Sequence, residues 1–124
     1  MATFTKLSLQ PTAGTTGTGR LIKIAQTATA GTTIHTASNT ATTIDEVWLY
    51  AQNDHSSDVL LTVEWGGTSN PDDLIRQTIT SRAGLLLVVP GLILQGNATP
   101  LVVRAFAATA NVVMVGGYVN RITV

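Results

Sequence analysis

Residues 44–51 read Ile44-Asp45-Glu46-Val47-Trp48-Leu49-Tyr50-Ala51. Val47, Leu49 and Ala51 fall on one side of a period-two pattern, and Glu46, Trp48 and Tyr50 fall on the other, which is the signature of a half-buried strand. After Gln52, the six residues Asn53 to Asp58 form a polar turn cluster. Val59–Trp65 then alternates again, with Val59, Leu61, Val63 and Trp65 facing one way.

The rest of the chain repeats this rhythm. Gly66-Gly67 and Ser69-Asn70-Pro71 break it before Leu74–Thr80, and Ser81–Gly84 turns into Leu85–Val89. Pro90-Gly91 reads as a turn into Leu92–Leu94; Leu101–Ala107 and Val112–Ile122 follow. Upstream, Leu21–Ala25 and Thr33–Thr36 are shorter strand candidates. Asn70-Pro71-Asp72-Asp73 could start a helix, but the β-branched, short run after it permits one turn at most. Many short strands with regular turn clusters predict an all-β fold, an antiparallel β-sandwich or jelly-roll-like barrel. Its 124 residues fit one domain. The Gly/Thr tract Pro11–Gly19 marks residues 1–20 as a flexible N-terminal arm, leaving 21–124 as the domain. Deletion of Met1 to Gly19 is therefore expected to leave the fold intact.

Composition limits the function classes. Charged residues make up 11% of the chain and the net charge is zero, against about 25% charged in ordinary soluble domains. Seven basic residues scattered singly do not make the basic patch that phosphate binding needs, so no nucleic-acid partner is expected. The longest apolar stretch, Ala83–Leu94, is too short to span a bilayer and is interrupted by Pro90, so no membrane partner is expected. Met1–Gln10 lacks the apolar core of a signal peptide.

Converging chemistry is sparse. His35 and His55 lie in separate polar tracts, and there are no cysteines, so neither a metal site nor a cofactor is expected. Asp54 and Asp58 resemble half a calcium loop without its terminal glutamate. Asp72-Asp73 are adjacent turn carboxylates with no second pair nearby. Ser56 and Ser57 beside His55 lie in a turn and not on a nucleophile elbow. Gly14–Gly19 lacks the Lys-Ser/Thr of a phosphate loop. No catalytic residue is assigned, and the chain is expected not to be an enzyme.

Surface cues are stronger. Leu85–Val89 and Val112–Val115 are apolar on both faces and Leu101–Val103 nearly so, whereas a sandwich buries only inner faces. Either the N-terminal tracts cover the outer faces or another copy does, and a homo-oligomer is the more economical cover. The seam is placed on Leu86, Val88, Val113 and Val115. Trp48, Tyr50 and Trp65 are candidate surface aromatics, suited to sugars or to a protein interface. Gly116-Gly117 marks a bulge or a close backbone approach.

Several strings also resemble a known group: Ile44–Ala51, then Val63-Glu64-Trp65-Gly66-Gly67-Thr68 with Pro71–Ile75, then Leu87-Val88-Val89-Pro90-Gly91-Leu92, Val103–Asn111 and Gly117–Ile122. In this order they resemble small virion proteins of tailed bacteriophages, the capsid cement (decoration) proteins. The resemblance covers about the last eighty residues and carries over no binding residue. It implies a viral structural protein made in the host cytoplasm. Such a protein sits as a homotrimer on the outer capsid surface, with the major capsid protein as partner, and stabilises the shell. The rival expectation is a receptor- or carbohydrate-binding module of a tail fibre or spike, stacking sugars on Trp48, Tyr50 and Trp65. A secreted immunoglobulin-like adhesion domain fits the lack of a signal peptide poorly.

Overall fold

A computed structural model describes residues 2–12, 14 and 17–124. Nine strands run in chain order: β1 Thr3–Ser8, β2 Ile22–Lys23, β3 Thr32–Thr36, β4 Thr43–Asn53, β5 Val59–Trp65, β6 Leu74–Ile79, β7 Leu86–Gln95, β8 Val102–Ala107 and β9 Val113–Thr123. No helix occurs among the described residues. The all-β expectation holds. The strands form two antiparallel sheets, neither of which closes on itself, so the barrel alternative does not apply. The first sheet has the order β1-β9-β4-β7, with β2 also on β9; the second has the order β3-β8-β5-β6.

Alternation sets the core. β4 buries Val47, Leu49 and Ala51, β9 buries Val113, Val115 and Val119, and β7 adds Val89 and Leu94. From the second sheet come Ile34, Val59, Leu61, Val63, Ile79, Val103, Ala105 and Ala107. These side chains belong to one apolar cluster, so each sheet buries the face of the other.

Several expectations need correction. The proposed seam has the wrong parity: Val88, Val113 and Val115 are core residues, and Leu86 packs against that core. A period of two fixes which residues of a strand share a face, so the outward positions are the alternate ones. On and beside β7 these are Leu85, Leu87 and Ile93, between 44 and 59% exposed; Leu92, opposite the buried Val47, has the inner parity but is 44% exposed at the sheet edge. Pro90-Gly91 is not a turn but lies inside β7, where the pairing with β4 shifts register on either side of Trp48-Leu49. β7 ends its sheet, and an edge strand tolerates both a residue without an N–H and a bulge.

The flexible arm is corrected too. Thr3–Ser8 pairs along β9 from Thr123 to Tyr118, and Leu9 and Gln10 are buried. β1 is mostly solvent-facing, so it lacks the apolar alternation that marks an inner strand. Met1, Ala13, Thr15 and Thr16 of the expected arm lie outside the described residues. The chain leaves the edge of β9 after Ser8, opposite Tyr118, and returns at Ile22, opposite Val115. β1 and β2 thus act as one interrupted edge strand, and the interruption falls at Gly116-Gly117. The β4–β9 register runs through these glycines without a shift, so they mark close approach and not a bulge. Gly117 has φ +151°, and a Cβ there would meet the Trp48 carbonyl oxygen.

Two stability outcomes follow. Deleting residues 1–10 removes β1 and the buried Leu9; loss of one buried leucine alone costs about 1.5–3 kcal/mol, so urea unfolding should show at least that deficit. Gly117→Ala should cost at least about 2 kcal/mol, because backbone and not a flexible side chain blocks the new methyl. A wild-type unfolding midpoint in either variant contradicts the strand assignment.

Candidate functional site

The outer face of the first sheet carries most of the aromatic surface. Residues directly opposite one another share a face. The register therefore builds rows across β1, β9, β4 and β7: Phe4, Ile122, Ile44 and Gln95; then Lys6, Asn120, Glu46 and Ile93; then Ser8, Tyr118, Trp48 and Pro90. Beyond them Gly116, Tyr50 and Leu87 continue the face. Only Lys6 and Glu46 bring charge to these rows.

Trp48 and Tyr118 stack, with centroids 6.1 Å apart and planes 12° from parallel. Gly91 makes room for the indole, since a Cβ there would stand 2.9 Å from Trp48 Cζ2. Trp48 Nε1 donates to Glu46 Oε1 at 2.7 Å, and Asn120 Nδ2 donates to the same oxygen at 3.0 Å. The Trp48 bond, then the Asn120 bond, hold the Glu46 carboxyl below its ordinary range, so it is ionised at neutral pH. Lys6 Nζ sits 4.6 Å from the Tyr118 ring centroid, within cation–π reach. The indole is thus fixed in orientation from below, from beside and through its own N–H.

The three expected aromatics do not converge. Trp48 and Tyr50 share the outer face of the first sheet as expected, half-buried. Trp65 lies in the second sheet opposite Val103 and packs against the core. Tyr118 is the partner that sequence reading missed. Its signal was parity: Tyr118 alternates with the buried Val119, and β9 pairs with β4.

A second cluster lies inside. His35 and Asp45 are fully buried, with His35 Nε2 2.7 Å from Asp45 Oδ2. Arg121 donates from Nε to Asp45 Oδ1 at 2.7 Å and from Nη2 to Oδ2 at 2.9 Å. The Gln10 main-chain N–H donates to His35 Nδ1 at 3.1 Å. A ring nitrogen that accepts an N–H carries no proton, so Nε2 carries the hydrogen and donates to Asp45. Burial pushes the Asp45 carboxyl up, but the Arg121 hydrogen bonds, the His35 hydrogen bond and the Arg121 charge outweigh it, and the net shift is downward. Both ring nitrogens of His35 are engaged, so neither is open to take a proton from a bound molecule. The cluster is a tie between β3, β4, β9 and the chain after β1. Although His35 comes from a polar tract of the sequence, it is fully buried. Asp45 and Arg121 were visible in outline, because each falls in phase with buried neighbours, Val47 and Val119.

The remaining candidates serve local structure. Glu64, also buried, accepts from Thr29 Oγ1 at 2.8 Å and from the Gly31 N–H at 2.7 Å, fastening the segment before β3 onto the second sheet. Asp73 accepts from the Ser69 N–H at 3.0 Å, and Asp58 accepts from the Ser81 N–H at 2.9 Å. Asp54 lies 3.8 Å from Arg82, both exposed. His55 Nδ1 meets Ser56 Oγ and the Ser57 N–H, each at 3.3 Å, within its own turn. Among the described residues no three His, Cys, Asp or Glu converge as a metal site. Comparison with family models, curated proteins and solved structures returns no match.

The internal ion pair gives a pH test. A carboxyl lowered in the folded state adds stability above its unfolded value, about 3.9, and that stability is lost as pH falls through the folded value. Arg121→Met leaves a buried carboxylate short of its charge partner and should cost about 3–5 kcal/mol at pH near 7. The deficit should narrow below a pH of about 4, as wild-type Asp45 takes up its proton. Urea unfolding across pH measures both; a constant deficit would show that the pair does not carry the acid limb.

Proposed function

We propose that this chain is a structural protein of a tailed-bacteriophage virion, associating as a homo-oligomer, expected to be a homotrimer, on the outer surface of the capsid, where it stabilises the shell. The observation that carries the self-association is the set of exposed apolar residues along an edge strand: Leu85, Leu87 and Ile93 on the outer face, with Leu92 exposed beside them. It replaces the seam first expected on Leu86, Val88, Val113 and Val115. A set of this kind on so sparsely charged a chain favours a neighbouring copy over solvent.

The fold supports the same reading by analogy. With β1 and β2 counted as one interrupted strand, two four-stranded sheets remain, and successive strands cross between them except at the β5–β6 hairpin. That order supports a jelly-roll reading, a double sheet used in viral capsid proteins and also in lectins and cupins. Fold analogy alone does not assign function. The neutral surface adds a separate argument, since copies held at high local density repel one another weakly. Binding only to the assembled shell would oppose its disassembly by mass action.

A second reading, a receptor- or carbohydrate-binding module of a tail fibre or spike, is favoured by the Trp48–Tyr118 stack with Glu46 and Asn120 beside it. Copy number per virion separates the two: hundreds for a capsid protein, tens or fewer for a fibre.

The test combines sedimentation with shell binding. Wild-type protein at micromolar concentration should sediment as an oligomer and pellet saturably with expanded capsids. The double substitution Leu87→Glu with Ile93→Lys should yield monomers with an unchanged thermal midpoint and at least tenfold weaker capsid binding. A monomeric wild-type protein that does not pellet with shells would overturn the proposal.

A further inference from the structure

We propose that protonation of His35 releases the amino-terminal strand from the sheet. Three main-chain contacts hold the chain just after β1 onto β3. The Gln10 N–H donates to His35 Nδ1, the Gln10 carbonyl accepts from the Thr36 N–H at 2.8 Å, and the Pro11 carbonyl accepts from Thr36 Oγ1 at 3.2 Å. The first depends on the protonation state of a side chain.

The ionisable groups that the structure places against His35 are Asp45 on β4 and, through it, Arg121 on β9. Asp45 is held by two Arg121 donors and takes the His35 Nε2 hydrogen. Only the neutral ring with its hydrogen on Nε2 satisfies Asp45 and Gln10 together. A second proton can enter only at Nδ1, where it turns an acceptor into a donor facing the Gln10 N–H. Asp45 is already balanced by Arg121, so the added proton also leaves an uncompensated charge in a dry interior. Turning the ring away would break its bond to Asp45, whereas the chain at Gln10 borders solvent-exposed Pro11 and Thr12. The chain therefore moves. Its departure uncovers Leu9 and frees the Ser8 end of β1, a strand attached to β9 along one edge.

The closed form holds one proton fewer than the open form. Attachment thus weakens as pH falls, with the opening constant rising by at most about tenfold per pH unit, the limit for uptake of one proton.

Amide hydrogen exchange tests this directly. After correction for intrinsic rates, protection of the β1 amides should fall relative to that of β4 as pH is lowered, by up to about tenfold per pH unit. His35→Asn, whose side-chain oxygen can accept the Gln10 N–H, should abolish that dependence, and His55→Gln should keep it. Unchanged relative protection of β1 in the wild type, or a loss that persists in His35→Asn, overturns the proposal. If His35→Asn does not fold, nitrogen–proton correlation of the wild-type imidazole at a pH of about 8 decides it. The Nε2–H tautomer is expected, and an Nδ1–H tautomer or an imidazolium overturns the clasp.

Discussion

The longest unbroken ladder in the molecule joins β4 to β9, from Thr43 opposite Thr123 to Asn53 opposite Val113. Everything else in the first sheet flanks this pair: β7 on the free edge of β4, β1 and β2 on the free edge of β9. The ladder also fixes parity. Once Val47 faces Val119 across it, Asp45 must face Arg121 on the inside and Trp48 must face Tyr118 on the outside. One register therefore produces both the buried ion pair and the surface stack. A slip of one residue would exchange the two, driving an aromatic face inward and two charges into solvent. The bidentate pair penalises that slip, because either charge alone in the core would be costly.

The parts legible in the sequence were those where one face is apolar and the other is not. β4 and β5 announced themselves by alternation, β8 and β9 by apolar runs between turn clusters, and the boundaries of all four came within a residue or two. β7 was legible as β but not in its course, because Pro90 and Gly91 in an edge strand look like punctuation. β1 was missed for a different reason: Thr3, Phe4, Thr5 and Lys6 are all solvent-facing, so no burial contrast reached the sequence. The seam on Leu86, Val88, Val113 and Val115 failed on parity: a strand apolar on both faces does not reveal which residues point inward.

The candidate sites were legible to a similar degree. Trp48 and Tyr50 stood out because their polar-side position on β4 was unambiguous. The His35–Asp45–Arg121 cluster was hidden by its origin in three distant segments, one of them a Thr/Ala-rich tract with no periodicity. Yet a carboxylate in phase with Val47, Leu49 and Ala51 carried its own warning. A charge on the buried parity of a strand needs a partner, and Arg121 shows the same anomaly on β9.

The kink at Pro90-Gly91 also shapes how this protein can meet its neighbours. An open edge strand is a template on which further strands can pair without limit, the route to fibres. Here the template is interrupted midway: Pro90 offers no N–H, and the register shifts on either side bend the strand away from a straight ladder. Contact through β7 must then proceed by side chains and not by backbone addition. Side-chain contacts have a shape and can be saturated, so β7 can be sticky without making the protein polymerise.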